Sequence, residues 1–221
     1  MEIQNFSYQL PSGVSLYDHL SVHFSKDNVN VIFGPNGIGK TTLLDFIAGV
    51  NQRPVENFVD FPAGDEIAYQ LQGVPFIGEA TVFNTMKLIA EIENPREKFT
   101  VSDLPDELKR FVDVQFRQLS GGQRRLVIIE AVSRLERTLY LFDEPESGLD
   151  PKMARQVMMK LKALNQRGKM VIATSHQFQN IDDMFNLIFL NAGKILFTGS
   201  AKEFLAAGQT NDLVEAYLKR F

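Results

Sequence analysis

The sequence predicts an α/β fold with an antiparallel β subdomain near its start and a mainly helical insert in its middle. Three features carry that expectation. Apolar strand-like runs alternate with helix-type periodicity in the two outer portions of the chain. The glycine-rich stretch GPNGIGKT (34–41) stands between a predicted strand and a predicted helix. From about residue 73 to residue 135 the texture becomes charged and helical, as in EIENPREKFTVSDLPDELKRF. The 221 residues suffice for one large domain with a sizeable core. We divide it into a core at about 1–72 and 136–200, the insert at 73–135, and a C-terminal helical segment at 200–221.

The elements come in order. Ile3, Phe6 and Tyr8 mark a first strand, and Leu20, Val22 and Phe24 recur at period two in a second, with PSG (11–13) as the turn between them. NVNVIF (28–33) is a buried strand, and residues 41–50 form the helix after the glycine-rich stretch. Residues 51–66 are loop-like, with Pro54, Pro62 and Gly64. EIAYQLQ (66–72) alternates, with Ile67, Tyr69 and Leu71 on one face. After the insert come TLYLFDEP (138–145) as a strand, residues 152–165 as a helix and KMVIATSH (169–176) as a strand. LIFLNAGKILFTG (187–199) is a hairpin pair, and Ser200 with Glu203 opens the last helical segment as a capping box.

Composition narrows the function classes. The balance of 44% hydrophobic and 23% charged residues is that of an ordinary globular protein. A formal net charge of -4 gives no reason to expect broad binding to nucleic acid, which needs a basic face. No cysteine is present, which excludes thiol catalysis, disulfides and thiolate metal sites. MEIQNFSYQL lacks the basic start and apolar core of a secretory signal. No apolar run approaches the ~20 residues that cross a bilayer, so if this protein serves a membrane, another chain does the spanning.

Four stretches carry chemistry. Gly34, Pro35, Asn36, Gly37, Ile38, Gly39, Lys40 and Thr41, followed by Thr42, fit G-x-x-x-x-G-K-[ST]. Glycines let backbone N–H groups close around phosphate oxygens, and the helix start adds its positive dipole end. Lys40 supplies a point charge to the β- and γ-phosphates and Thr41 a hydroxyl to Mg²⁺. TLYLFDEP is an apolar strand delivering two acids at its carboxyl end, where ligands bind in an open α/β sheet. Asp143 is placed to hold Mg²⁺, directly or through water, and Glu144 to take a proton from an attacking water. His176 ends another apolar strand near the same site, whereas His19 and His23 have no such setting and read as structural. Finally, Ser120-Gly121-Gly122-Gln123 is a Ser-x-x-Gln capping box at a helix start. A cap alone would account for it, and its spacing does not reveal whether it meets a phosphate.

Taken together and in this order, GPNGIGKTT, LSGGQ, LYLFDEP, SGLD and SH resemble the ATP-binding cassette (ABC) ATPases over about residues 2–200. LSGGQ ahead of an acid-terminated strand is the discriminating part. The resemblance implies a P-loop NTPase core of ABC type, with ATP and Mg²⁺ as cofactors, and a head-to-tail pair of cassettes, a homodimer or a heterodimer, with ATP between them. Ser120, Gly121, Gly122 and Gln123 would then face the nucleotide of the partner subunit. Asp143 resembles the acid of the magnesium site, Glu144 the hydrolytic base and His176 the γ-phosphate switch residue. Residues 147–150 resemble the loop that crosses the dimer interface. Gln72 resembles the glutamine that links Mg²⁺ and attacking water to the insert, with Gln70 two residues away on the same face. An aromatic on the first strand stacks on adenine in this family, and Tyr8 fits better than Phe6 by its distance from Gly34. Two departures stand out. The chain between Lys40 and Gln72 is short, implying a trimmed sheet edge, and Glu146 occupies a position where a small hydroxyl residue is common.

By this resemblance the chain is the ATPase subunit of a membrane transporter, cytoplasmic and peripheral on the cytoplasmic face of the cell membrane. A separate transmembrane subunit would dock near residues 73–86, where Val74, Phe76, Ile77, Val82, Phe83 and Met86 either meet it or bury in the insert's own core. The alternative is a soluble ABC ATPase acting on nucleic acid or ribosomes. One cassette and no heptad stretch weigh against that. A GTP-dependent switch lacks its Asn-Lys-x-Asp stretch here and leaves LSGGQ unexplained.

Overall fold

Residues 1–71, 78–96 and 98–220 are described by the structure, a computed structural model. β1 (Glu2–Gln9) and β2 (Ser15–His23) pair antiparallel across the turn at 10–14. The spacing of three between Ile3 and Phe6 breaks strict alternation, yet both are buried. A bulge explains it: Asn5 sits at φ 50° and the register shifts between Ile3 and Phe6. β3 (Val29–Phe33) leads into α1 (Lys40–Ala48), which stops at Gly49 in the left-handed conformation, φ 77°. β4 (Phe58–Val59) adds to the other edge of β1, making a three-stranded sheet in the order β2-β1-β4.

β5 (Ile67–Gln70) is shorter than the alternation predicts. Ile67 and Tyr69 pack inward, but the strand ends at Gln70 and Leu71 is exposed, which corrects its expected place on that face. The insert follows with α2 (Val82–Glu93), α3 (Asp106–Lys109) and α4 (Gly121–Arg134). Then come β6 (Leu139–Phe142), α5 (Pro151–Gln166), β7 (Met170–Ser175), β8 (Phe185–Asn191) and β9 (Lys194–Ser200), with α6 (Ala201–Gly208) and α7 (Leu213–Arg220) at the end. Asp150 caps α5 by accepting from the Lys152 and Met153 amides, and Pro151 sits in its first turn.

Six strands form the second sheet in the order β5-β6-β7-β3-β8-β9. Neighbours are parallel except at the β8–β9 hairpin. Its central strands are buried on both faces, so they read as continuous apolar runs. The pleat then sorts successive residues. Tyr140, Phe142, Val171, Ala173, Leu187 and Phe189 face α5, α6 and α7 in one core. Leu139, Leu141, Ile172, Ile188 and Leu190 face α1 and the three-stranded sheet in another. Asn30 is the buried polar exception in β3. Its amide donates to Ser25 O at 2.8 Å and Val171 O at 3.2 Å, and its Oδ1 accepts from Ser25 N at 2.8 Å and Asn186 Nδ2 at 2.9 Å.

The insert has a core of its own, in which Val82, Met86, Phe99, Leu108, Phe116, Val127 and Ala131 are buried. This settles part of the apolar stretch proposed for a membrane partner. Val82 and Met86 are fully buried, and Phe83 stacks on Phe99 with ring centroids 6.0 Å apart, so these three serve the insert itself. Val74, Phe76 and Ile77 lie outside the described residues. α4 joins the two bodies, with Val127 in the insert core and Ile129 in the main one. Among the described residues no helix is long and apolar enough to cross a membrane.

Candidate functional site

The site gathers at the carboxyl ends of β3, β6 and β7, three adjacent strands of the parallel sheet. β3 ends in the loop 34–39, and two of its glycines are there for stated reasons. A Cβ on Gly34 would stand 2.4 Å from Leu190 O on the neighbouring strand. Gly39 has φ 106°, and a Cβ there would press on Leu16 and the Tyr17 hydroxyl at 3.0 Å. Tyr17 is fully buried and its hydroxyl donates to Gly39 O at 2.6 Å, which holds the loop where α1 begins. Burial pushes the Tyr17 phenol well above its ordinary range, with Asp45 and Tyr8 adding to the effect, so it stays a donor.

Lys40 is buried, and its ammonium donates to Gly34 O at 2.8 Å and Pro35 O at 3.1 Å, spanning the loop that it follows. Burial pulls its pKa down, while Glu144 and Asp143 oppose that. The Lys40 nitrogen stands 4.0 Å from Glu144 Oε1. The cleft here, about 420 Å³, is lined by Asn36, Gly37, Gly39, Lys40, Thr41, Thr42 and Glu144, with Leu10 and Leu16 at its edge.

β6 delivers the two acids in different ways. Asp143 is buried, accepting from Thr41 Oγ1 at 2.9 Å on one oxygen and from Thr174 Oγ1 at 2.6 Å on the other. Glu144 then turns into the left-handed region at φ 46°, an unusual conformation for a non-glycine residue. Two neighbours hold it there: its N–H donates to Thr174 Oγ1 at 2.9 Å, and Arg125 Nη1 of α4 donates to its carbonyl at 2.6 Å. The result aims the carboxylate back over the sheet end, with His176 Nδ1 at 3.5 Å. Lys40 and His176, far apart in sequence, thus flank one carboxylate oxygen.

Thr41 and Asp143 test the expected metal. They offer a hydroxyl and a carboxylate within hydrogen-bond reach of each other, hard oxygen donors of the kind Mg²⁺ takes when substrate phosphates and water complete its shell. These residues fit the ion. Gln72 lies outside the described residues. Gln70 is buried, its side-chain amide donating to Leu71 O at 2.9 Å while its Oε1 has no partner among the described residues.

The other expected site residues sit elsewhere. Ser120 caps α4: its hydroxyl accepts from Gln123 N at 3.3 Å, and Gln123 Oε1 accepts from Ser120 N at 2.9 Å. Ser120 and Gly121 are exposed, and none of Ser120–Gln123 lines the cleft at Lys40. Of the two aromatic candidates Phe6 is buried and Tyr8 half-exposed. Tyr8 packs edge-on against Phe46, centroids 4.8 Å apart, and does not itself line that cleft. Sequence reasoning missed Thr174 and Arg125. The two hydroxyls that end the apolar run MVIATS, Thr174 and Ser175, were a faint signal for the first; Arg125 carried none beyond its charge.

A glycine loop clasping a buried lysine, with a Thr–Asp pair and a second acid at adjacent strand ends, defines a nucleotide-binding domain of the phosphate-loop class. The chain belongs to the ABC transporter family, whose model matches residues 17–147. It is 31% identical over 212 residues to the energy-coupling factor transporter ATP-binding protein EcfA1 of Thermotoga maritima, covering 88% of this chain and 80% of that one. It is 34% identical over 212 residues to ABC transporter G family member 1 of Dictyostelium discoideum, covering 85% of this chain but only 27% of that protein. A solved ATP-binding subunit of an ABC transporter shares the fold, with a TM-score of 0.78 at 20% identity over 99% of this chain and 98% of the other.

Proposed function

We propose that this chain binds ATP with Mg²⁺, hydrolyses it to ADP and phosphate, and drives a membrane transporter from the cytoplasmic face. The observation that carries the reading is the placement of Glu144: a carboxylate held on a strained turn between Lys40 and His176, one residue from the Thr41–Asp143 pair. In this scheme the loop amides from Gly34 to Thr42 and the Lys40 ammonium bind the β- and γ-phosphates. Thr41 and Asp143 would hold Mg²⁺, which when bound supplies charge neutralisation at the phosphate oxygens. Glu144 accepts a proton as water oxygen bonds to the γ-phosphorus. The bond from that phosphorus to the bridging oxygen breaks, and ADP leaves with the electron pair. His176 steadies the γ-phosphate, Gln72 the attacking water, and Tyr8 borders the adenine.

A second cassette completes the site. Ser120, Gly121, Gly122 and Gln123 do not line this chain's own cleft, and the exposed start of their helix suits the nucleotide of a facing copy. ATP then closes the pair and hydrolysis reopens it. A membrane subunit docked near residues 73–86 moves with the pair because its two states prefer different cassette arrangements.

The test begins with phosphate release by the purified chain with ATP and Mg²⁺. Glu144→Gln should slow it by about 10²- to 10⁴-fold while ATP still binds. Near wild-type turnover would remove Glu144 as the base. The transport reading is checked by tagging Glu144→Gln and solubilising whole membranes in mild detergent with ATP. A multispanning protein recovered in near-equal amount supports it. Recovery with ribosomes or nucleic acid would move the chain to the soluble class.

A further inference from the structure

Glu146 is a buried carboxyl that the hydrolytic scheme leaves unused. It sits two residues beyond Glu144, only 4% exposed. One oxygen meets Ser175 Oγ, and the other, Oε2, is buried without a hydrogen-bond partner among the described residues. Ser175 is the last residue of β7, immediately before His176.

The protons around Ser175 can be counted. Its Oγ accepts from Gln177 N at 2.9 Å and also lies 2.9 Å from Gln177 O, so the hydroxyl closes a turn around His176. A serine hydroxyl has one proton and two lone pairs. If Glu146 were ionised, its oxygen and Gln177 O would compete for that single proton, and one of them would go without. If the carboxyl carries the proton, it donates to Ser175 Oγ, the hydroxyl donates to Gln177 O, and Gln177 N fills the remaining lone pair. Only the second arrangement gives each contact of Ser175 Oγ its own proton, and it leaves Oε2 as the bare carbonyl oxygen of a neutral acid. It also avoids a buried anion with one bare oxygen beside Glu144, which would be costly. Burial independently pushes the Glu146 carboxyl up and Glu144 adds to that, while Ser175, its own backbone and His176 pull the other way. The titratable groups facing it are Glu144 on its own turn and His176 after β7; Lys40 from α1 and Arg125 from α4 reach that same Glu144.

We propose that Glu146 is a positioning residue for the ATPase reaction: as a hydrogen-bond donor to Ser175 Oγ, it ties the turn after β6 to the turn after β7 and so holds His176 against Glu144. This rests on the ATPase reading. A glutamine reproduces the shape and the donor, whereas a leucine reproduces only the volume.

The experiment compares kcat and KM for ATP in wild type, Glu146→Gln, Glu146→Leu and Ser175→Ala, each checked for folding by thermal unfolding. Glu146→Gln should retain at least about half of wild-type kcat, because its amide donates where the acid did. Glu146→Leu and Ser175→Ala, which cut the tie from opposite sides, should each lower kcat by about ten- to a hundred-fold, with KM for ATP changed less than about three-fold. Ser175→Ala is the smaller change and decides the matter if the leucine variant does not fold. The assignment falls if Glu146→Gln is as slow as Glu146→Leu, because an anion is then required. It falls equally if Ser175→Ala keeps full kcat. A wild-type chain that releases no phosphate would fail the ATPase reading itself, and this assignment with it.

Discussion

At the scale of single residues, the site depends on side chains that hold other side chains. Thr174 is the clearest, giving its proton to Asp143 and taking one from the Glu144 amide. Thr174→Val keeps the shape and removes both bonds, leaving a buried acceptor and a backbone donor unserved. We expect a loss of about 1–3 kcal/mol in denaturant unfolding and a fall in kcat larger than any change in KM. Unchanged turnover would show that Glu144 keeps its turn without this support. Glu146 makes a pH-dependent prediction. Its folded pKa is raised above the ordinary 4.5, so between those values the folded chain holds a proton that the unfolded chain has released. Stability therefore falls as pH rises through that window. Glu146→Gln removes this contribution, and its Tm should gain on wild type as the pH is raised from about 4.5 towards neutrality. A constant difference across that range would mean that the carboxyl titrates normally.

At the scale of elements, helix caps separate stability from function. Ser120 and Ser200 each open a helix with a complete capping box, one at α4 and one at α6. Replacing either by Ala should cost about 1 kcal/mol of stability. Their effects on activity should differ. Ser200 lies far in sequence from the cleft-lining residues, whereas Ser120 is expected at the nucleotide of a facing copy. Ser120→Ala should therefore also lower ATPase activity while Ser200→Ala leaves it unchanged, as steady-state phosphate release would show. Equal activities would reduce Ser120 to a cap. α4 has a further duty, because Arg125 ties it to the Glu144 carbonyl and couples the start of one helix to the end of β6.

At the scale of the whole molecule, the glycine-rich loop lines a cleft that the Ser120–Gln123 start of α4 does not. If two copies complete each other's sites, phosphate release per chain should rise with protein concentration and level off once dimers dominate. Light scattering of Glu144→Gln should give twice the monomer mass with ATP and the monomer with ADP. A specific activity independent of concentration, from chains that remain monomeric with ATP, would end the reading of two like copies and leave the facing cassette to a different chain.

The sequence by itself determined the class of fold, the phosphate loop, both acids and the helix starts. These are local matters: a strand, a glycine turn and a capping residue are written within a few neighbouring positions, and pleat and helix periods repeat along the chain. The bulge at Asn5 and the early end of β5 were beyond it, because register is set by the facing strand and by what lies above the sheet. Only the tertiary structure decided that Val82 and Met86 belong to the insert's own core, that Thr174 and Arg125 hold Glu144, and that Glu146 reaches Ser175. Those contacts join residues from different strands and helices, and no periodicity along a chain encodes which side chains meet once parallel strands lie side by side.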